Sequence, residues 1–488
     1  MAQVVLFNDK STDVGSFRRS LGPYRIAQSL KDAGYTVQVV EWFSSWSRDD
    51  LALVLDKLLG VETLWVGWSS TFMVSSQQAS NRRQQMWSRP LADMDWVFDY
   101  IKSRSKAWLV YGGAYAHLFA FDDRIDTYIT GYADTSVIGY TQSLAQGHLP
   151  PRFVDSRTYP EPDVGHIDTD WSDPSYCLLP NEALPIELAR GCIFQCKFCN
   201  YPLIGKRKGS YQRPVAQIRD QMLKAHAITG CNRFYFTDDT FNDDRDRLAE
   251  LHEMFKTLPF KPKFSCFLRL DLIERWPETA NLLLEMGLVG CFFGVETFNK
   301  KSAQCVGKGL DPKRTRAELV RLRELWGSNV LVSVGLILGL PYDTTDYFEE
   351  LETWINDVNC PTHNVSINTL WLGPPAPDGA TQADGWSQFN LNRDVYGYLV
   401  DGPNWTLPSQ NLTKALCDQW RAHFYKLTHD RNRISEFYVQ DYANLGVSLD
   451  DMRMMSAEAI HKKYPLRKLL LDRQREYQNS LIVFLGIR

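Results

Sequence analysis

The sequence predicts an α/β protein built from two strand–helix series in tandem, and three observations carry that prediction. Over roughly the first 150 residues, short apolar runs alternate with helical patterns. The alternation stops in a stretch rich in proline, aspartate and serine, then resumes with six further strand candidates. It loosens again near residue 373. Alternation of this kind argues for parallel sheets covered by helices. The expected organisation is an open, doubly wound sheet over 1–150, a surface linker over 151–182, a second α/β region over 183–375 and a small mixed region over 376–488.

The first series begins with "QVVLF" (3–7), a continuous apolar run of the kind found in a strand buried on both faces. "LGPYRIAQSLKDAG" (21–34) sets Tyr24, Ile26, Ala27 and Leu30 near helical spacing and stops at a glycine. "YTVQVVEW" (35–42) alternates as a strand, and "LALVLDKLLG" (51–60) is a helix with a C-terminal glycine. "TLWVGWSS" (63–70), "AWLVYGG" (107–113) and "TYITG" (127–131) supply further strands. Ser69-Ser70 and Gly112-Gly113 fall at strand C-terminal ends, where doubly wound sheets bind ligands and small residues allow close backbone approach.

In the second series the strand candidates are "PIELA" (185–189), "RFYFTDD" (233–239), "KFSCFLRL" (263–270), "GCFFGVE" (290–296), "VLVSVGLIL" (330–338) and "NVSINTLWL" (364–372). Helical patterns such as "ETANLLLEMG" and "DYFEELETWINDV" separate them. Six strands fall short of a closed eight-stranded barrel, so an open partial barrel is expected, with its active site at the C-terminal strand ends. Beyond a Pro/Gly-rich loop the tail is mixed helix and loop with many aromatic residues, and it carries no repeats.

Composition narrows the class. At 488 residues, 44% hydrophobic and 23% charged, the chain is ordinary globular protein with room for two or three cores. A net charge of -4 gives no general pull toward nucleic acid. Ten cysteines, three clustered and seven scattered, do not form a disulfide framework, and a reducing cytoplasmic location is expected. No apolar run is long enough for a bilayer span, so no membrane association is expected. Of the fifteen tryptophans, Trp42, Trp46, Trp65, Trp68, Trp371 and Trp386 fall near predicted strand ends, and most of the fifteen are expected as core or packing residues.

The most informative segment is Cys192-Ile193-Phe194-Gln195-Cys196-Lys197-Phe198-Cys199. Its CxxxCxxC spacing brings three thiolates to one short loop, one fewer than iron–sulfur clusters normally take. A four-iron cluster held by three cysteines keeps one iron open to another ligand. Two other readings stay open from spacing alone. Positions i, i+4 and i+7 share a helix face, as buried core cysteines would. A zinc ion is the second, with Cys177, Cys231 or a histidine as fourth ligand.

Together with motifs at the downstream strand ends, the loop resembles that of the radical S-adenosylmethionine (SAM) superfamily, in its class with an N-terminal cobalamin-binding domain. "ELARGCIFQCKFCN" is similar to the cluster loop, and "FYFTDDTF", "FLRLDLI", "FFGVETFNKKSAQCVGKG" and "VGLILGLPYDTTDYFEE" resemble the ends of the second to fifth barrel strands. The resemblance covers roughly residues 1–375. It implies a Rossmann-like cobalamin-binding domain, then a partial (β/α)6, TIM-like radical SAM barrel and a substrate-capping C-terminal region. Cys192, Cys196 and Cys199 would hold a four-iron, four-sulfur cluster whose open iron chelates SAM, and one electron would cleave SAM to a 5′-deoxyadenosyl radical.

By matched position, Phe198 would pack near the adenine, and Asp238 or Asp239 would take the SAM ammonium, the alternative being an acidic helix start. Glu296 would bind the ribose hydroxyls. Arg269 would pair with the SAM carboxylate or form a structural ion pair. Ile337 and Gly339 belong to the glycine-spaced fifth strand along the adenine. This chain departs from the pattern after that strand, with Tyr342-Asp343 where the family often has an acid. The basic "GKRKGSYQRP" (205–214) reads as scaffold or as contact to SAM or substrate. At the N-terminus, "LGPYRIAQSLKDAGYTVQVVEW", "VGWSS", "YGGAYAHLF" and "ITGYADTSV" resemble the cobalamin domain. There Ser69, Ser70, Gly112, Gly113 and Gly131 would line the cofactor. The first histidine is His117, so none from the first loop ligates cobalt from below. The long stretch 71–96 would cover the corrin or substrate, or be a surface insertion.

The resemblance implies a cobalamin-dependent methyltransferase acting at an unactivated carbon, or else a radical rearrangement, ring contraction or oxidation. A zinc- or cluster-stabilised binding protein is the reading from another class. Implied partners are a small-molecule or peptide substrate and an electron donor such as flavodoxin or ferredoxin; nucleic acid is disfavoured.

Overall fold

The apolar runs of the first series become one parallel sheet. In the computed structural model its strands are β1 (Val4–Phe7), β2 (Val37–Val40), β3 (Trp65–Ser69), β6 (Trp108–Gly113), β7 (Thr127–Thr130) and β8 (Phe153–Asp155). They are ordered β2-β1-β3-β6-β7-β8, while β4 (Met73–Val74) and β5 (Arg89–Pro90) pair separately. The description covers residues 1–9, 19–70, 73–74, 89–90, 94–113, 116, 122–166, 168–180, 182–201, 203–207, 209, 211–309, 311–373, 375–376, 378–402, 404–430, 447–448, 450–451 and 457–487. His117 and most of 71–93 lie outside it, as do single positions in 205–214.

Two compact units emerge. One comprises Met1–Pro185, Asp220–Cys231 and Arg467–Arg488; the other comprises Ile186–Arg219 and Asn232–Leu466. In the first, helices α1 (Leu21–Asp32), α2 (Arg48–Leu58), α3 (Trp96–Arg104) and α4 (Ser136–Ala145) accompany the sheet. Helix α2 starts where Ser47 Oγ accepts from Asp50 N, with two acids in its first turn to meet the N-terminal dipole. Its stripe Leu51, Val54, Leu55 and Leu58 is buried. Aromatic residues fill the same core: Phe7 lies 4.4 Å from Phe43 and 5.1 Å from Trp68, ring centre to centre. Trp42, Trp46, Trp65 and Trp68 are buried, and so is Trp386 of the second unit, whereas Trp371 is half-buried.

The segment expected as a surface linker is different. It supplies β8 and buries Trp171 and Tyr176, which pack 5.0 Å and 4.9 Å from Tyr24. Its abundance of proline and aspartate hid two large side chains that gain more from burial than a solvated linker offers. Arg19 clasps the segment, donating to Tyr176 O (2.6 Å), Cys177 O (3.1 Å) and both oxygens of Glu182.

The second series forms the other sheet, ordered β14-β13-β12-β11-β10-β9 and short of a closed barrel. Its elements in chain order are β9 (Ala183–Ile186), α5 (Val215–Thr229), β10 (Arg233–Phe236), α6 (Arg245–Lys256), β11 (Lys263–Leu268), α7 (Leu270–Arg275), α8 (Thr279–Met286) and β12 (Leu288–Glu296). Next come α9 (Lys300–Val306), α10 (Pro312–Trp326), β13 (Leu331–Leu338), α11 (Thr345–Asn356) and β14 (Asn364–Thr369). Phe236 and Phe293 face the helix layer, meeting Phe255 of α6 and Trp326 of α10. Alternation then turns Tyr235, Phe267 and Phe292 inward on β10–β12, and Ser333, Asn364, Ser366 and Asn368 inward on β13–β14.

Where the sequence reading ends the barrel region at residue 375, the compact unit runs on to Leu466. It adds α12 (Gln388–Leu391), an antiparallel three-stranded sheet of β15 (Leu399–Asp401), β16 (Asn404–Leu407) and β17 (Leu412–Thr413), and helices α13 (Lys414–Asp430) and α14 (Ala457–Lys463). The last helix, α15 (Leu466–Phe484), clusters almost entirely with the first unit, where Tyr477 Oη accepts from Glu41 N at 2.9 Å. Among the described residues no helix is long and apolar enough to cross a membrane.

Candidate active site

The three clustered cysteines come after β9 in a loop, not a helix, which removes the core-helix reading. Backbone bonds fix that loop to the chain after it: Cys192 N donates to Leu203 O (2.9 Å), Lys206 N to Cys192 O (3.0 Å), and Arg190 N to Tyr211 O (2.9 Å). The basic stretch from 205 to 214 is therefore the other wall of the cysteine loop. Arg213, 1% exposed, donates to Glu187 O at 2.7 Å within that wall.

All three thiols are free. Thr240 Oγ1 lies 3.6 Å from Cys192 Sγ, Tyr201 N donates to Cys199 Sγ at 3.5 Å, and Arg269 Nη1 donates to Cys196 Sγ at 3.4 Å. Burial raises the Cys192 thiol and pushes Cys199 up to about 12, so binding a metal there must expel protons. Among the described residues, no three His, Cys, Asp or Glu side chains stand close enough to share one metal ion. Three thiolates on one loop are the soft donors that an iron–sulfur cluster takes, one to each of three irons. The other zinc candidates are engaged within the first unit, Cys177 Sγ donating to Pro174 O and Cys231 Sγ to Glu182 O.

The neighbouring strand ends bring the remaining candidates to this loop, in three different states. Asp238 is 4% exposed, and its Oδ2 accepts from Leu188 N at 3.2 Å, so it ties β10 to the chain entering the cysteine loop. Burial holds its carboxyl well above the usual range. Asp239, next to it, is exposed at the strand end and bonds Tyr201. Arg269 is committed as an ion pair: Nε and Nη2 reach Asp271 at 3.0 Å and 2.6 Å, and its guanidinium stacks 3.7 Å above the Phe194 ring. The structural-pair alternative is the geometry observed.

Glu296 ends β12 with φ +70°, a conformation that non-glycine residues adopt only under constraint. Burial raises its carboxyl, partly offset by Lys308, 3.4 Å away. Ile337 is half-buried on the inner face, level with Asn368. Gly339, at φ +87°, is closed over by this chain's own aromatics: Tyr398 Oη donates to its carbonyl at 2.7 Å, and an added Cβ would stand 2.2 Å from Trp405 Cη2. Asp343 is internal too, its Oδ2 accepting from Gly339 N and Leu340 N, with burial pushing it up to about 7.

In the first unit, Ser69, Ser70, Gly112, Gly113 and Gly131 do come together across the C-terminal ends of β3, β6 and β7. Ser69 is level with Gly112, Ser70 N donates to Gly112 O at 2.7 Å, and Gly131 N to Gly113 O at 3.3 Å. At Gly113 an added Cβ would collide with Ser70 Oγ at 2.3 Å, whereas at Gly112 it would meet nothing nearer than 3.6 Å. Among the described residues, Gly112 thus answers no close packing need. The strand order reverses between β1 and β3, so Ser69 and Ser70 at the end of β3 lie beside the switch point at which doubly wound sheets bind ligands.

Sequence reasoning missed Lys308, Asp271 and Trp405. Lys308 stood inside the quoted "CVGKG", with a glycine helix stop before it as a usable signal. Trp405 had none.

A profile of the radical SAM superfamily matches residues 186–355. That span carries the similarity to the superfamily. The matched span includes the cysteine loop and the ends of β10 to β13. The chain is 30% identical over 198 residues to the hopanoid C-2 methylase of Rhodopseudomonas palustris, covering 39% of this chain and 36% of that protein. It therefore spans little more than a third of that relative's length. The radical SAM methyltransferase TsrM from Kitasatospora setae, solved with cobalamin and an iron–sulfur cluster, shares the fold at TM-score 0.58 and 16% identity, covering 98% of this chain and 100% of that one. The cobalamin-dependent radical SAM enzyme OxsB, solved with aqua-cobalamin and SAM, matches at TM-score 0.54 and 13% identity, covering 99% and 72%. The α/β architecture of an open parallel sheet and a partial barrel is thus one that cobalamin-dependent radical SAM enzymes use.

Proposed function

We propose that this chain is a cobalamin-dependent radical SAM methyltransferase acting at an unactivated carbon of a small-molecule or peptide substrate. The observation that carries the reading is the cysteine loop: three free thiols in one loop after the first barrel strand, bracketed by Thr240 and Arg269. In this reading Cys192, Cys196 and Cys199 hold the cluster. Asp239 takes the SAM ammonium, because Asp238 is occupied by backbone. Glu296 takes the ribose hydroxyls, and Phe198 and Ile337 flank the adenine. Arg269 steadies Cys196 and Phe194 and leaves the SAM carboxylate to the open iron. Trp405 and Tyr398 exclude water behind Gly339. Ser69, Ser70, Gly112, Gly113 and Gly131 form the cobalamin cradle.

When bound, the cluster, SAM and cobalamin would supply reductive cleavage of SAM and delivery of a methyl group, with flavodoxin or ferredoxin as the electron donor. Anaerobic reconstitution with iron, sulfide, SAM and reductant tests the proposal. Wild type should form 5′-deoxyadenosine and Cys196→Ala should not. With the true substrate, S-adenosylhomocysteine should accompany it. Stoichiometric zinc with no SAM cleavage would refute the enzyme; 5′-deoxyadenosine alone with that substrate would refute methyl transfer.

A further inference from the structure

Lys308 carries a role that the reading above leaves unassigned. Helix α9 stops at Gly307, whose left-handed backbone (φ +82°) reverses the chain, and Lys308 N closes the stop by donating to Ala303 O at 2.9 Å. The reversal sends the Lys308 side chain back to the end of β12. There Nζ donates to Gly294 O at 2.7 Å and lies 3.4 Å from Glu296 Oε1. Both side chains of this pair are only 13% exposed.

The backbone at this point is irregular. The register of β12 against β13 shifts between Gly294 and Glu296, and Glu296 itself sits at φ +70°. A strained backbone of this kind persists only where its surroundings over-determine it. Lys308 is bonded to the residue before the shift and paired with the residue after it. Gly294 makes the room: an added Cβ there would stand 2.6 Å from Glu296 Oε1 and 3.4 Å from Lys308 Nζ. The same ammonium lies 5.9 Å over the ring of Phe198, between Cys196 and Cys199. A second tie runs alongside, Lys197 N donating to Val306 O at 3.1 Å.

We propose that Lys308 is a positioning residue for the SAM site, fixing the bulged end of β12 so that the Glu296 carboxylate is held in register with the cysteine loop. The inference rests on the reading of Glu296 as the ribose ligand.

The test uses the full chain, reconstituted anaerobically, with SAM binding measured by equilibrium dialysis without reductant and iron content measured on the same samples. Lys308→Met should weaken SAM about tenfold, with iron content unchanged. At saturating SAM its rate of 5′-deoxyadenosine formation should be retained, so that the loss falls on KM and not on kcat. Lys308→Arg should recover most of the affinity. Glu296→Gln should weaken SAM at least as much, and the double variant should be no weaker than Glu296→Gln alone, because the two residues act through one contact. If Lys308→Met loses its cluster, Gly294→Ala takes its place, displacing the pair while keeping both charges, and the same loss of SAM affinity is expected. Wild-type SAM binding by Lys308→Met, or losses that multiply in the double variant, would overturn the inference while Glu296 stands. Wild-type binding by Glu296→Gln would overturn the reading of Glu296 and the inference with it.

Discussion

Replacing Arg19 with methionine should destabilise the first unit heavily, and adding Glu182→Leu should restore most of the loss. The Arg19 guanidinium meets Glu182 through two bonds of 2.6 Å and 3.0 Å, with side-chain exposures of 0% and 2%. It also donates to Tyr24 Oη at 2.8 Å and to the carbonyls of Tyr176 and Cys177. Aromatic rings of Tyr24, Trp42 and Tyr477 stand 5.7, 5.6 and 5.1 Å from it, so water cannot take its place. Stripping one partner from a buried ion pair costs about 3–5 kcal/mol, because the remaining charge loses its compensation. The two abandoned carbonyls add about 1–2 kcal/mol, giving roughly 4–7 kcal/mol in all for Arg19→Met. In the double variant the Glu182 carboxylate is gone; the two carbonyls and Leu179 N, which Glu182 Oε2 accepts at 3.0 Å, go unmet, Tyr24 Oη loses one donor, and buried Glu41 loses the nearby cation. About 2–3 kcal/mol should then remain. Urea titration of the full chain, with hydrogen exchange read on peptides from β1 and β2, measures both values. Additive losses, with the double variant worse than either single, would refute the argument that the carboxylate's desolvation is what Arg19 offsets.

The second unit offers further tests. Asp343, held up to about 7 against an ordinary 3.8, keeps a proton in the folded chain that the unfolded chain releases. Its contribution is therefore complete below pH 4 and lost as pH rises through 7, so wild type should lose about 3 kcal/mol more than Asp343→Asn between pH 5 and 8. Thermal melts at the two pH values compare them. Gly339→Ala should cost about 2–5 kcal/mol, summing a left-handed alanine and a Cβ driven against Trp405; wild-type stability would mean that Trp405 yields freely. Asp239→Asn should weaken SAM about tenfold with little change in melting. Asp238→Leu should instead lose about 1–3 kcal/mol of stability, because it leaves the buried Leu188 N without an acceptor. Equilibrium dialysis and melting on both variants separate the two acids.

The strands were legible because burial on both faces of a parallel sheet leaves uninterrupted apolar runs, and all eleven expected strands, from 3–7 to 364–372, are found within a few residues of their place. Strands β8 and β15–β17 escaped, being two to four residues long and holding exposed positions such as Phe153 and Leu399. The cysteine loop was legible because its three cysteines are neighbours in sequence. Which of Asp238 and Asp239 faces the site was not, since the answer lies in a backbone N–H fifty residues upstream. Arg269 was ambiguous for a related reason: Asp271 stands two residues away, but only geometry shows that it takes both arms of the fork.

The placement of α15 has a consequence for how the chain is made. Tyr477 seals the end of β2, accepting from Glu41 N and donating to Val39 O, and it stacks edge-on against Trp42. Those contacts join residues more than four hundred positions apart, so the N-terminal sheet emerges from the ribosome long before its last packing partner exists. Residues 1–185 must therefore wait, with the end of β2 and the indoles of Trp42 and Trp46 uncovered, until α15 has been synthesised. A nascent chain stalled before residue 466 would present that aromatic surface to chaperones, and a cut in α15 would reopen it in the finished protein.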